Sequence, residues 1–223
     1  MLILLIAGLL AGATPSALEL ARDQQDRPAL DKISSEYAAL AAKAPNDVEA
    51  QYRSALAYCY SAEVAIEQRD RKLGRQMAEL GMKAAEKAVS LKPENAEYHR
   101  VLGSLYGQAV TDIMSGLSYG PKAKDAINKA VEKAPKSSSV YVARGVGNYY
   151  LPAQLGGGAR LAIPDFQKAI ELDSKNAEAW LWLGLSLRKE NKDAEARQAF
   201  TKSLELNPRR LWAKQQLEKT PAK

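Results

Sequence analysis

The chain has little of what most catalytic sites are built from. It carries one histidine, His99, and one cysteine, Cys59, in 223 residues. A lone thiol excludes an intrachain disulfide. No Cys/His cluster has metal-ligand spacing, so no metal or cofactor is expected. No stretch alternates with period two over a strand's length, so no sheet is expected. Low-complexity segments and internal linkers are missing as well. The one long uncharged apolar run, residues 1–13, is too short to cross a bilayer as a helix, so no integral membrane span is expected.

What remains is helical material. The chain is 46% hydrophobic and rich in Ala, Leu, Lys and Glu, a composition suited to stacked helices. It is long enough to bury a full core. The expected class is all-α.

A pattern then appears near the C-terminal end. Trp180, Leu183, Gly184 and Leu187 are followed by Ala196, Phe200 and Ser203, and then by Pro208. The pattern echoes backwards. The Pro208 slot recurs at Ser174, Pro135, Pro93 and Pro45. Leu102, Gly103 and Tyr106 follow Pro93 at the offsets that Leu183, Gly184 and Leu187 hold from Ser174. Ala123, Ile127 and Ala130 precede Pro135, and Ala162, Phe166 and Ala169 precede Ser174. Gly81, Ala85 and Ala88 before Pro93, and Tyr58 after Pro45, match more loosely.

These residues resemble the tetratricopeptide repeat (TPR), a pair of antiparallel helices that cannot bury its apolar face alone and must stack on neighbours. The resemblance implies an α-solenoid that binds other molecules. Each slot has a physical reason. Small residues at Gly103, Gly184 and Ala196 let helix backbones approach, while Trp180 and Phe200 fill the space between layers. A proline stops the second helix, having no N–H to donate. Asn46, Asn95 and Asn176 follow the stops and can cap the next helix.

Successive stop slots lie 48, 42, 39 and 34 residues apart, counted from Pro45 through Pro93, Pro135 and Ser174 to Pro208. The extra residues are expected between the two helices of a pair, as a tapering rim along one edge. Residues 48–68 and 96–117 keep a helical rhythm and read as lengthened first helices; 151–158 reads as a loop. Helices are expected near 17–44, 46–68, 72–91, 95–117, 121–134, 137–150, 160–173, 176–190, 193–206 and 209–219. The repeats would occupy about 46–92, 95–135, 137–174 and 176–208 within a single domain, 14–223, with 17–44 opening the stack and 209–219 closing it.

The run Met1–Ala13 ends in Ala11-Gly12-Ala13, the small-x-small form of a signal-peptidase site. It lacks the usual preceding Lys or Arg. The reading is a signal peptide, with a mature chain from Thr14 and a periplasmic or secreted protein. The segment Tyr149-Tyr150-Leu151-Pro152 with Gly156-Gly157-Gly158 also resembles exported bacterial TPR proteins that have a glycine-rich turn. Gly156–Gly158 lacks the lysine and spacing of a phosphate loop and reads as a turn that closes an enlarged repeat. Pro164 is placed in the first turn of the following helix.

Candidate chemistry is thin. His99 takes the slot of Trp180 and is expected to pack between helices, which leaves no histidine for a Ser/His/Asp set. Cys59 reads as a small buried hydrophobe, and the carboxylates read as lying on solvated faces. No enzyme is expected. The net charge is +6, with basic residues late in the chain at Lys189, Lys192, Arg197, Lys202, Arg209, Arg210, Lys214, Lys219 and Lys223. Acids such as Glu190, Asp193, Glu195, Glu205 and Glu218 are interleaved, so this region reads as a solvated surface. In an exported protein, nucleic acid is not an expected partner.

The TPR resemblance places a ligand groove on the concave face. Its inward positions fall on Tyr52, Leu56 and Cys59, then Arg100, Ser104 and Gln108, then Val142, Val146, Tyr149 and Tyr150, then Leu181, Leu185, Arg188 and Lys189. The Lys/Asn set with which chaperone-binding relatives hold a peptide's terminal carboxylate is missing. The resulting expectation is an exported scaffold for a protein or peptide segment, bound in the groove or along the rim. A small apolar ligand, as in the T components of TRAP transporters, is the alternative.

Overall fold

The computed structural model describes residues 16–222. The expected signal peptide, 1–13, and the cut before Thr14 lie outside the described residues. Among the described residues eleven α-helices follow one another, and no strand occurs. The helices are α1 (Ala17–Asp23), α2 (Arg27–Lys43), α3 (Val48–Glu67), α4 (Arg71–Leu91), α5 (Ala96–Gln108), α6 (Ile113–Lys133), α7 (Ser138–Tyr150), α8 (Ala159–Leu172), α9 (Ala177–Lys189), α10 (Asp193–Leu206) and α11 (Leu211–Glu218). Helices α3/α4, α5/α6, α7/α8 and α9/α10 pair as hairpins. The first members, α3, α5, α7 and α9, touch in sequence and form an inner layer.

The repeat slots do the packing work expected of them. A Cβ on Gly184 would lie 2.6 Å from the Phe200 ring, one on Gly145 2.5 Å from Phe166, and one on Gly103 2.7 Å from Ile127. In each of these hairpins a glycine therefore lets a large side chain of the second helix reach the backbone of the first. A second recurrence lies six residues after the stop slots. His99 Nε2 lies 2.7 Å from the Pro93 carbonyl. Tyr141 Oη donates to the Pro135 carbonyl at 3.0 Å, and Trp180 Nε1 donates to the Ser174 carbonyl at 3.0 Å. The one histidine is thus a buried structural donor with its proton on Nε2, tying a helix to the turn before it.

Local chemistry corrects several boundaries. The opening helix is two helices. Gln25 takes a left-handed backbone (φ 54°), Asp26 caps α2 through the Ala29 N–H at 3.0 Å, and Pro28 follows in the first turn. Proline is tolerated there but not inside a longer helix. Helix α3 is capped by Asp47, which accepts from Glu49 N and Ala50 N, and not by Asn46. Asn95 and Asn176 cap α5 and α9 as expected.

The second insertion lengthens the second helix of its hairpin, not the first. Helix α5 stops at Gln108, and Asp112 starts α6 with a capping box to Ser115. Two orphan donors are satisfied at once, which fixes a new start. Pro121 therefore lies inside α6, and Pro164 lies beyond the first turn of α8. The early turns of α6 leave Ile113, Met114 and Leu117 exposed.

The 151–158 loop is ordered by its own backbone. Gly157 N donates to Pro152 O at 3.1 Å and Gly158 N to Asn148 O at 2.8 Å. A Cβ on Gly157 would lie 2.3 Å from the Leu151 carbonyl oxygen, so only glycine fits. Beneath it, Arg144 and Asn148 donate to Asp165.

Candidate functional site

The inner layer curves so that residues from the two ends of the stack meet across it. Asn207 Nδ2 donates to Asp23 Oδ2 at 2.7 Å, across 184 positions. Gln215 Nε2 donates to Gln25 Oε1 at 3.1 Å. Between these contacts lies Arg210, which stands at the start of α11 and has no exposed surface. Its guanidinium donates to Glu178 Oε1 at 2.8 Å, to Glu63 Oε1 at 2.7 Å and to both carboxylate oxygens of Glu67. Asp23 lies 3.9 Å away. Arg22 joins the cluster, 3.4 Å from Glu178, and its guanidinium lies over the Tyr60 ring.

Four carboxylates thus surround two guanidiniums. Full ionisation would leave excess negative charge in a poorly solvated place. The strain falls on Glu63. Burial pushes its carboxyl up, against the pull of Arg210 and Arg22, to about 8. A raised carboxyl at Glu63 brings the cluster closer to charge balance. Glu178 goes the other way. Burial works to raise it, but Arg210 and Arg22 overcome that and hold it below the usual range.

Further along the inner layer, Tyr52 Oη and Arg100 both bind Glu97, at 3.0 Å and 2.6 Å. Burial works to raise the Glu97 carboxyl, but the Arg100 guanidinium wins and holds it below the usual range. Gln108 donates to the Cys59 carbonyl at 3.2 Å. Burial pushes the Cys59 thiol up to about 12, so this cysteine is not a nucleophile.

One part of the concave face stays open. Beside the Arg210 cluster, a cleft of about 350 Å³ separates the end of α3 from α7, α9 and α11. Ile66, Tyr149, Leu185 and Trp212 form its walls. Glu67, Arg69, Arg188, Gln216 and Lys219 ring it. The aromatic wall continues inward. Trp182 meets Tyr149, Tyr150 and Trp212 edge-on, with ring centroids 5.6, 5.9 and 5.2 Å apart. Lys189 Nζ stands 4.5 Å over the Tyr149 ring. Arg188 donates to Gln216 Oε1 at 2.7 Å and to the Gln216 carbonyl.

The inward positions expected from the sequence therefore divide. Tyr149, Leu185 and Arg188 line the cleft, with Lys189 and the half-exposed Tyr150 beside it. Tyr52, Arg100 and Gln108 are occupied by internal hydrogen bonds. Val142, Val146 and Leu56 are partly buried and pack against core clusters, and Ser104 is half-buried. Leu181 is fully buried and belongs to the core, because Trp212 and Ala213 of the closing helix join its cluster.

Two expectations about charge are corrected. The carboxylates do not all lie on solvated faces, since Asp23, Glu67 and Asp165 are buried. Arg210 is not part of a solvated basic surface. A sequence signal existed for Glu63 and Glu67. They extend the helical spacing of Tyr52, Leu56 and Cys59 along the same inner stripe. Nothing comparable marks Arg210, whose role depends on the curvature of the whole stack.

Comparison with known proteins places this architecture. A family model described as "Regulator of microtubule dynamics protein 1-3" matches residues 17–152, more than half of the chain. A tetratricopeptide repeat model matches residues 156–210. No curated protein matches. Among solved structures, a thermophilic TPR protein of Thermus thermophilus is similar, at 20% identity and TM-score 0.65, over 91% of this chain and 96% of that one. The HusA haemophore of Porphyromonas gingivalis is similar at 20% identity and TM-score 0.50, over 88% of this chain and 96% of that one. Both likenesses are of fold.

Proposed function

The chain belongs to the regulator of microtubule dynamics protein 1-3 family and carries tetratricopeptide repeats, and from that premise we propose that it is a scaffold holding a peptide segment of a partner protein in the cleft beside Tyr149. One observation carries the reading. The concave face is occupied by internal bonds and packing along most of its length, whereas Tyr149, Leu185 and Trp212 line an open cleft. Aromatic side chains supply large contact area at low entropy cost and are favoured anchors. The family's name describes regulation, which a protein contact can deliver without catalysis. TPR proteins are generally non-catalytic scaffolds, and no reaction is proposed.

Selection of random peptides on the immobilised full chain tests the reading. Enriched peptides carrying a photo-crosslinker should attach to residues lining the cleft. Crosslinks confined to the convex face, or no enrichment, would reject it.

We also keep export as a proposal, resting on the apolar run Met1–Ala13 and the Ala11-Gly12-Ala13 site. N-terminal sequencing of native protein should begin at Thr14. A retained Met1 in a soluble cytoplasmic fraction would end that proposal.

A further inference from the structure

The geometry points to a specific class of segment for the cleft: one in which a carboxylate stands beside a bulky apolar side chain. The inference rests on the peptide-binding reading above and adds the chemistry of the partner.

The walls and the rim ask for different things. Ile66, Tyr149, Leu185 and Trp212 supply the smaller, apolar part of a lining whose exposed surface is mostly polar. The cleft's volume, about 350 Å³, lies at the small end for binding pockets and suits one large side chain with a neighbour. The rim is cationic. Arg69, Arg188 and Lys219 surround it, and Lys189 stands over the Tyr149 wall. Among the described residues, no carboxylate lies within ion-pair distance of any of these four. Arg188 is held by the neutral oxygens of Gln216 and Thr220, which fix its direction and leave its charge uncompensated.

The one acid on the rim cannot balance them. Both oxygens of Glu67 are bound by Arg210, and Gln25 donates to Oε2 at 2.8 Å. Glu67 is thus engaged by Arg210, and on the cleft lining Arg69, Arg188 and Lys219 outnumber it. A basic segment entering the cleft would meet like charge, which discriminates strongly between partners. An acidic residue flanking an apolar anchor would meet Arg69, Arg188 and Lys219 while its neighbour packs against the apolar walls.

Three fluorescein-labelled probes of one apolar pattern test this on the full chain: Glu-Leu-Glu-Phe-Glu-Leu, Ser-Leu-Ser-Phe-Ser-Leu and Lys-Leu-Lys-Phe-Lys-Leu, each within a Gly-Ser frame. The acidic probe should bind at least about tenfold tighter than the other two and weaken as salt rises from about 50 mM to about 500 mM. Arg69→Glu with Lys219→Glu should reverse that preference. Lys83→Glu with Lys175→Glu, the same charge change at exposed sites that do not line the cleft, should leave it unchanged. Equal binding of the neutral and acidic probes would overturn the acidic assignment and leave the peptide-binding reading standing. Equal loss in both double variants would also overturn the assignment, by reducing it to net charge. Binding of no probe would overturn both.

Discussion

Arg210 Nη1 donates to Glu67 Oε2 at 3.1 Å across 143 positions of the chain. That bond joins the end of the first full hairpin's inner helix to the start of the closing helix. A repeat stack needs contacts only between neighbours; this one adds a contact between its ends.

The closure should be costly to break. Arg210→Ala removes the cation and leaves Glu63, Glu67 and Glu178 facing one another. Breaking a buried pair from one side typically costs about 3–5 kcal/mol. Arg210→Lys should lie between alanine and wild type, because an ammonium cannot reproduce the fork that reaches several carboxylates. Urea unfolding of both variants checks the order. A loss below about 1 kcal/mol for the alanine variant, typical of a surface pair, would mean that the cluster contributes little.

The same cluster sets a pH dependence. Glu63 ionises near 4.5 ordinarily and is pushed up to about 8 in the folded protein. Between those values the folded chain keeps a proton that the unfolded chain has lost. This contribution is full below about pH 4.5 and is lost as pH rises through about 8. The side chain keeps 21% of its surface, so the slope should fall short of the full ~1.4 kcal/mol per pH unit of a single proton. Glu63→Gln mimics the protonated acid and should flatten the curve between pH 5 and 8. Denaturation midpoints at several pH values decide it. An unchanged slope in the variant would assign the dependence elsewhere.

The glycine slots make a packing prediction. At Gly184 an added Cβ would lie 2.6 Å from the ring of the fully buried Phe200. Gly184→Ala should cost about 1–3 kcal/mol, the usual range for overpacking. Phe200→Leu should be less damaging in that background than alone, since the two sites share one space. Melting temperatures of the four proteins form the cycle, and strict additivity would contradict the contact.

Much of the fold was legible because short-range patterns specify it. The offsets of Gly103, Gly184, Phe166 and Phe200 reveal the hairpins, since each glycine and its aromatic or aliphatic partner are fixed by helix geometry. Boundaries failed where a local bond outweighed apolar rhythm. Asp26 with Pro28 split the opening helix, and Asp112 with Ser115 restarted α6. The candidate site was legible in part. Tyr149, Leu185 and Arg188 stand at inward positions that the TPR resemblance implied. The Arg210 cluster was not legible, because it forms only when the curvature of the stack brings residues 23, 63, 67, 178 and 210 together. That same closure buried Leu181, a position expected to face a ligand.

The most direct test of the cleft is the Tyr149→Ala/Tyr150→Ala double variant, measured for both affinity and melting temperature. The peptides selected on the wild-type chain should bind it at least about tenfold more weakly, a loss of about 1.4 kcal/mol or more, with helicity retained. A large fall in melting temperature with unchanged affinity in the folded fraction would contradict the account, making the two tyrosines core side chains and not a binding surface.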